Sequence, residues 1–171
     1  MTRLPRIAAV VLSAAAFAAV APLGGCGYTT GSLVAERHHT IAVLPFGNET
    51  RRHDIEWELT QAVIEEIQSR TSLRVVPESD GPDLVLRGVL RDAEEETLSR
   101  RDHQRLREGV YFLTAEIDVT ERGASVPLVK DRKVHERESY VPVVGEDVRT
   151  ARAEATRALA ERIVRQLEQT W

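Results

Sequence analysis

Catalysis or metal binding needs nucleophiles, acids and bases, or ligand side chains at workable spacing. The five histidines are His38, His39, His53, His103 and His135. None sits in an HExxH or His-x-His pattern, and two adjacent side chains such as His38 and His39 seldom point at one metal. One cysteine, Cys26, excludes an intrachain disulfide and any zinc site built on two thiolates. Glu94-Glu95-Glu96 reads as a solvated strand end rather than an acid/base pair, and no nucleophile elbow is present. Gly24-Gly25-x-Gly27 has no strand before it and no helix after it, so it is not a phosphate loop. Asn48-Glu49-Thr50 matches a glycosylation acceptor only by pattern. We therefore expect no metal, no cofactor and no enzymatic activity. What remains is cationic. Arg51 and Arg52 stand beside His53. Arg100, Arg101 and Arg105 lie with Arg107 in one segment, and Lys130, Arg132 and Lys133 lie in another. Residues 99–107 are net +3 in a chain of net charge −4. Guanidinium groups pair well with phosphate oxygens. These eight cations are therefore candidates for phosphate-bearing ligands or anionic lipid, against the alternative of solvated loops. The modest overall charge excludes the strongly basic face of a nucleic-acid binder.

A lone thiol has four uses: a buried core residue, a reactive or metal-binding group, half of an intermolecular disulfide, or an attachment point. The residues before Cys26 decide among them. Arg3 and Arg6 precede an uncharged run over 7–21, too short for the roughly 20 residues of a membrane-spanning helix. A basic region, a short apolar region and a patch of small residues are the layout of a secretory signal. Leu23-Gly24-Gly25-Cys26 then resembles the bacterial lipobox. Small residues keep the peptide bond before the thiol extended and accessible to processing. The expectation is cleavage before Cys26, with diacylglycerol on its sulfur and an N-acyl (palmitate-type) chain on its amino group. One acyl chain binds a membrane only marginally, whereas two or three make a lasting anchor. Removing 1–25 leaves 146 residues with 27 acids against 21 lysines and arginines, a net charge of −6. A chain of that length buries about 68–70 % of its unfolded surface and needs no disulfide to fold. Gly27, where an Asp would favour inner-membrane retention, leans the location towards the outer membrane.

The elements that would carry the cations follow from periodicity. Residues 26–39 lack a clear period and read as a lipidated tether, leaving 40–171 as a single domain. Residues 41–46 form a short apolar strand, with a turn at Gly47 to Thr50. Ile55, Leu59, Ala62, Val63 and Ile67 make one helical stripe, Asp54 is the expected N-cap, and Trp57 falls at its edge. Strands are expected at 72–78 and 83–92, with a turn at 79–82 between them. Residues 93–109 read as strand ends plus an exposed hairpin loop. Tyr111, Leu113, Ala115, Ile117 and Val119 alternate with polar residues, the mark of an antiparallel strand with one wet face. A more polar strand over 128–140 suits a sheet edge. Val148, Ala151, Ala155, Leu159, Ile163 and Leu167 recur at helical spacing, with Glu146 and Asp147 at the start. The order strand, helix, four strands, helix predicts an α+β fold. It is a two-layer sandwich with two helices on a mixed sheet of four to five strands.

Several of these pieces also align with a known family. Cys26-Gly27-Tyr28 opens the mature chain. "IAVLPFGNET" precedes "IEWELTQAVIEEI", then "LRVV", "PDLVLRGVL", "EIDVTERG" and an Ala-rich "EATRALAERIVRQLEQ" follow. In that order the chain resembles the LptE family of lipopolysaccharide-assembly lipoproteins. Only the charged segment 93–109 departs from it. The resemblance implies two helices on a mostly four-stranded sheet, seated as a plug in the outer-membrane β-barrel LptD, and a role in lipopolysaccharide transport to the cell surface. A plug should be polar outside, because barrel lumens are polar. On this reading the partners are an LptD-like barrel, lipopolysaccharide and the membrane that holds the anchor. The "AVLPFGN" stretch and the D-L-x-L-x-G strand are also similar to two other periplasmic lipoprotein types, curli-secretion-type pore subunits and cell-wall synthase activators. A lipoprotein enzyme is the alternative of a different class.

Overall fold

The helical stripe read from residues 55 to 67 is the seam on which the molecule closes. In the computed structural model, which describes residues 37–99, 107–141 and 147–169, helix α1 runs Ile55–Arg70. Ile55, Leu59, Val63 and Ile67 are each 0 % exposed. Burying a side chain of this size contributes roughly 1.5–3 kcal/mol. The second helix, α2, runs Val148–Gln169, and its Ala151, Ala155, Leu159, Ile163 and Leu167 line the same core. Asp147 caps it, accepting the Thr150 N–H at 2.8 Å. All described residues fall within one unit, Gly31–Trp171.

The described strands are β1 Thr40–Val43, β2 Gly47–Asn48, β3 Arg74–Val75, β4 Leu84–Ser99, β5 Arg107–Glu121 and β6 Val129–Tyr140. They form one six-stranded sheet in the order β3-β1-β4-β5-β6, with β2 also on β4. β1 is parallel to β3 and β4, as a strand–helix–strand unit requires, while β4, β5 and β6 are antiparallel. Both helices pack on one sheet face, so the expected α+β sandwich forms. The sheet gains a strand because Pro45 interrupts the 41–46 run. The chain resumes at β2 as a second short parallel segment, with Gly47 opposite Val89 and Asn48 opposite Leu90.

The strand expected at 72–78 shortens to Arg74–Val75. Three further local expectations change. First, β4 and β5 reach much further into the charged segment than 83–92 and 111–119, pairing out to Ser99 opposite Arg107. A bulge between Leu90 and Asp92 makes this compatible with one buried face. Leu84, Leu86 and Leu90 are buried before it and Ala93 after it, so the alternation shifts phase by one residue. Second, Asp54 stands at the N-terminus of α1 in the left-handed region (φ 71°) and makes no side-chain cap. The loop is held by Asn48 instead. Its amide donates to the Arg52 carbonyl at 2.6 Å and the Glu56 carboxylate at 2.5 Å, and its oxygen accepts from Thr50. Glu56's own backbone N–H, then Asn48, hold the Glu56 carboxyl below its ordinary range. Third, His38 and His39 belong to the fold and not to the tether. His38 is 4 % exposed, with Nε2 3.1 Å from Glu121 Oε1. The His39 N–H donates to Asp83 Oδ2 at 2.9 Å.

Asp83 closes that end of the sheet. One of its oxygens accepts from the His39 and Thr40 amides and the Thr40 hydroxyl, and the other from Arg122 at 3.0 Å. The His39 amide first, then the Thr40 hydroxyl, push the Asp83 carboxyl below the usual aspartate range.

Candidate functional site

The eight cationic candidates do not converge on one site. Arg51 and Arg52 occupy the loop between β2 and α1, both exposed. Arg52 Nη2 lies 3.3 Å from Glu95 Oε2, and the other Glu95 oxygen accepts from the Tyr140 hydroxyl. That bond to Glu95, together with burial, pushes the Tyr140 hydroxyl up. Beneath these groups the Tyr111 hydroxyl is buried with no hydrogen-bond partner among the described residues, and burial pushes it up as well. Arg152 of α2 reaches this end too, with Nη2 2.5 Å from Glu58 Oε1. Glu95 of the acidic run is thus tied into a structural junction and forms no acid/base pair. β4 and β5 run towards this same end, to Ser99 and from Arg107; Arg100, Arg101 and Arg105 lie between them in sequence, outside the described residues. Cys26 lies outside them too.

Lys130, Arg132 and Lys133 sit elsewhere, exposed on β6. Glu95 lies opposite Tyr111, whereas Arg132 lies opposite Ile117. Six strand residues separate those positions, about 20 Å at the usual rise. One phosphate group cannot bridge them.

Sequence reasoning missed what surrounds the second group. Arg132, Lys133 and His135 share a cleft of about 310 Å³ with Arg162 and Arg165 of α2. Its described lining residues include no carboxylate. Arg162 is held by Glu136, and Arg165 Nη2 lies 3.9 Å from Glu161. Arg132 and Lys133 form no ion pair among the described residues. The helical arginines were legible only as part of a solvated face, because nothing in the sequence says which strand that face abuts.

A second groove of about 500 Å³ runs between the two helices on the outer surface, lined by Glu58, Glu65, Glu66 and Arg157 among others. The exposed residues are mostly polar or charged. Trp57 (61 % exposed) and Val126 (73 %) are the large apolar side chains left open among the described residues. Trp57, expected at the edge of the helical stripe, therefore points out to solvent. No helix among the described residues is long and apolar enough to cross a membrane. No group of three or more His, Cys, Asp or Glu side chains among them could hold a metal ion.

Comparison with known proteins adds the family. Residues 39–169 match the LptE lipopolysaccharide-assembly family model. Curated proteins give no significant match. Among solved structures, a hypothetical protein of Chlamydia trachomatis superposes with a TM-score of 0.54 at 9 % identity, covering 77 % of this chain and 96 % of that one. An uncharacterized lipoprotein B of Nitrosomonas europaea gives 0.54 at 13 %, covering 77 % and 83 %. A protein of Xanthomonas campestris gives 0.50 at 12 %, covering 78 % and 85 %. At such identities the likeness speaks for the fold alone. The family match spans nearly every described residue of the sandwich, and the chain belongs to the LptE lipopolysaccharide-assembly family.

Proposed function

We propose that this protein is a lipid-anchored outer-membrane component of lipopolysaccharide assembly. Residues 1–25 are its signal, and Cys26 carries diacylglycerol and an N-acyl chain. A short tether leads to a fold that begins by His38. Its partner is an LptD-like β-barrel, in whose lumen the sandwich sits as a plug and assembly factor. The observation that carries this reading is the family match over 39–169. Two features support the finer parts. The lipobox stands directly after an apolar signal. The exposed surface is polar and charged on the helix layer as well as on the free sheet face, as a polar lumen demands.

The hairpin end is where lipopolysaccharide phosphates would be met. Arg51 and Arg52 stand beside strands whose connection carries Arg100, Arg101 and Arg105, and guanidinium groups bind phosphate bidentately. The chain acts by binding and positioning rather than by turning over a substrate.

Affinity purification of the full chain from native membranes tests the reading. Co-purification of a large β-barrel with bound lipopolysaccharide is expected, and Cys26→Ala should release the protein from the membrane fraction. Recovery of a homo-oligomeric ring, or of a cell-wall synthase in place of a barrel, would overturn it. Membrane attachment unchanged in Cys26→Ala would overturn the anchor.

A further inference from the structure

The cations of β6 are left over from the hairpin end, and their setting differs from a phosphate pocket. β6 ends the strand order, so one flank of a 12-residue strand has no strand partner among the described residues. The Arg137 N–H shows which residues open that way. It donates not into the β5 ladder but to the side chain of its neighbour, Glu136 Oε1, at 3.0 Å. In an antiparallel ladder alternate residues direct both backbone groups to the same side. Lys133 and His135 therefore share the outward flank with Arg137. The cleft described above is lined by Arg132, Lys133, Val134 and His135, four consecutive residues. Successive strand side chains point to opposite sheet faces. Four in a row can line one cleft only if that cleft runs along the strand's open edge.

The edge is also walled. Arg162 and Arg165 of α2 flank it on the helix side, and the cleft lining carries four cations with His135; the adjoining Glu136 carboxylate on the edge is paired to Arg162. This occurs in a chain whose net charge is −4. Pairing with a second copy is disfavoured, because it would bring two such cationic edges face to face. The Glu136 carboxylate on the Arg137 amide and the left-handed bulge residue Asp131 (φ 49°) are guards against indiscriminate pairing.

We propose that the open flank of β6 receives an extended acidic segment of a partner protein as an added β-strand. Its backbone would pair with the outward groups of Lys133, His135 and Arg137, displacing only the Glu136 side chain from the edge. Its side chains would alternate, and those on the helix side would meet Arg132, Arg162 and Arg165. The ligand signature is therefore an acidic residue at every second position, with the backbone supplying affinity and the arginines selectivity. This inference does not depend on the lipopolysaccharide reading, and either can fail alone.

The test uses the full chain in detergent and a synthetic peptide of alternating Glu and Thr, about ten residues long, near the upper end of usual strand lengths. Binding is followed by fluorescence anisotropy and by amide hydrogen exchange. Expected results are added protection at Lys133, His135 and Arg137, and a loss of affinity of tenfold or more on N-methylating alternate peptide amides. A similar loss is expected in the Arg162→Glu/Arg165→Glu double variant. His135→Pro, which removes an outward N–H without a ladder bond to β5, should weaken binding while leaving thermal stability nearly unchanged. Binding without protection of those amides would overturn the proposal. So would equal binding of a Lys–Thr peptide. Protection of the edge by vesicles of phosphatidylglycerol, or by lipopolysaccharide, with the acidic peptide inert would replace it with an anionic-lipid site.

Discussion

The ring of Phe46 packs against Gly88, filling the space a side chain would take. A β-carbon built on Gly88 falls 2.6 Å from Phe46 Cδ1 and 2.7 Å from Cζ. Gly88 occupies the inner face of β4 between Leu86 and Leu90, and Phe46 roofs that gap from the chain between β1 and β2. Gly109 and Tyr140, opposite each other on β5 and β6, repeat the device. Gly88→Ala should destabilise the fold by about 1–3 kcal/mol through overpacking. Thermal denaturation measures it, and Phe46→Leu in the same chain should restore part of the loss. A Gly88→Ala chain as stable as the parent would show that the ring does not sit there.

Phe46 is aimed by a buried hydroxyl. Thr60 of α1 is 3 % exposed; its Oγ1 accepts the Phe46 N–H at 3.0 Å and donates to the Glu56 carbonyl at 2.6 Å. Thr60→Val keeps the shape and leaves that amide unpaired, so we expect a loss of about 1–3 kcal/mol. Thr60→Ser should lose less. Equal stability of the Val and parent chains in urea titrations would refute the bond.

The cluster at Asp83 has a pH signature. Its folded carboxyl is held below the ordinary value, first by the His39 amide and then by the Thr40 hydroxyl. A depressed folded value contributes stability that is fully present above the unfolded value near 3.9. It is lost as pH falls through the folded one. Unfolding free energy measured from neutral pH down through the acid range should therefore decline more steeply in the parent than in Asp83→Asn. At neutral pH Asp83→Asn should be the less stable by about 1–2 kcal/mol. Parallel pH profiles for the two chains would rule this out.

Tyr111 makes the opposite case. Its hydroxyl is buried without a hydrogen-bond partner among the described residues, close to Arg52 and Arg152. Removing an unpaired buried polar atom while keeping the ring should be neutral or stabilising. Tyr111→Phe is expected to melt at or above the parent temperature. A drop of several degrees would reveal a partner for that oxygen.

Periodicity carried most of the fold because it is local. Ile55, Leu59, Val63 and Ile67 recur at helical spacing, and Tyr111 to Val119 alternate, whatever they pack against; both patterns are buried as read. The strand ends within 93–109 were legible, but not how far β4 and β5 pair, out to Ser99 and Arg107. Glu94, Glu95 and Glu96 carry no apolar alternation, and it is the bulge after Leu90 and the partner strand that extend the ladder. His38 looked like tether because burial against Glu121, 83 residues away, leaves no mark on neighbouring residues.

The candidate site divides along the same line. By itself the sequence determined residue type: the lone Cys26 after its apolar run, and which segments carry cations. Only the tertiary structure decided which cations are neighbours. It set Arg52 on Glu95 at one end, and Arg132 and Lys133 beside Arg162 and Arg165 on an open strand edge. Side-chain chemistry and local period are properties of adjacent residues, whereas convergence depends on strand register and helix docking between residues far apart in the chain.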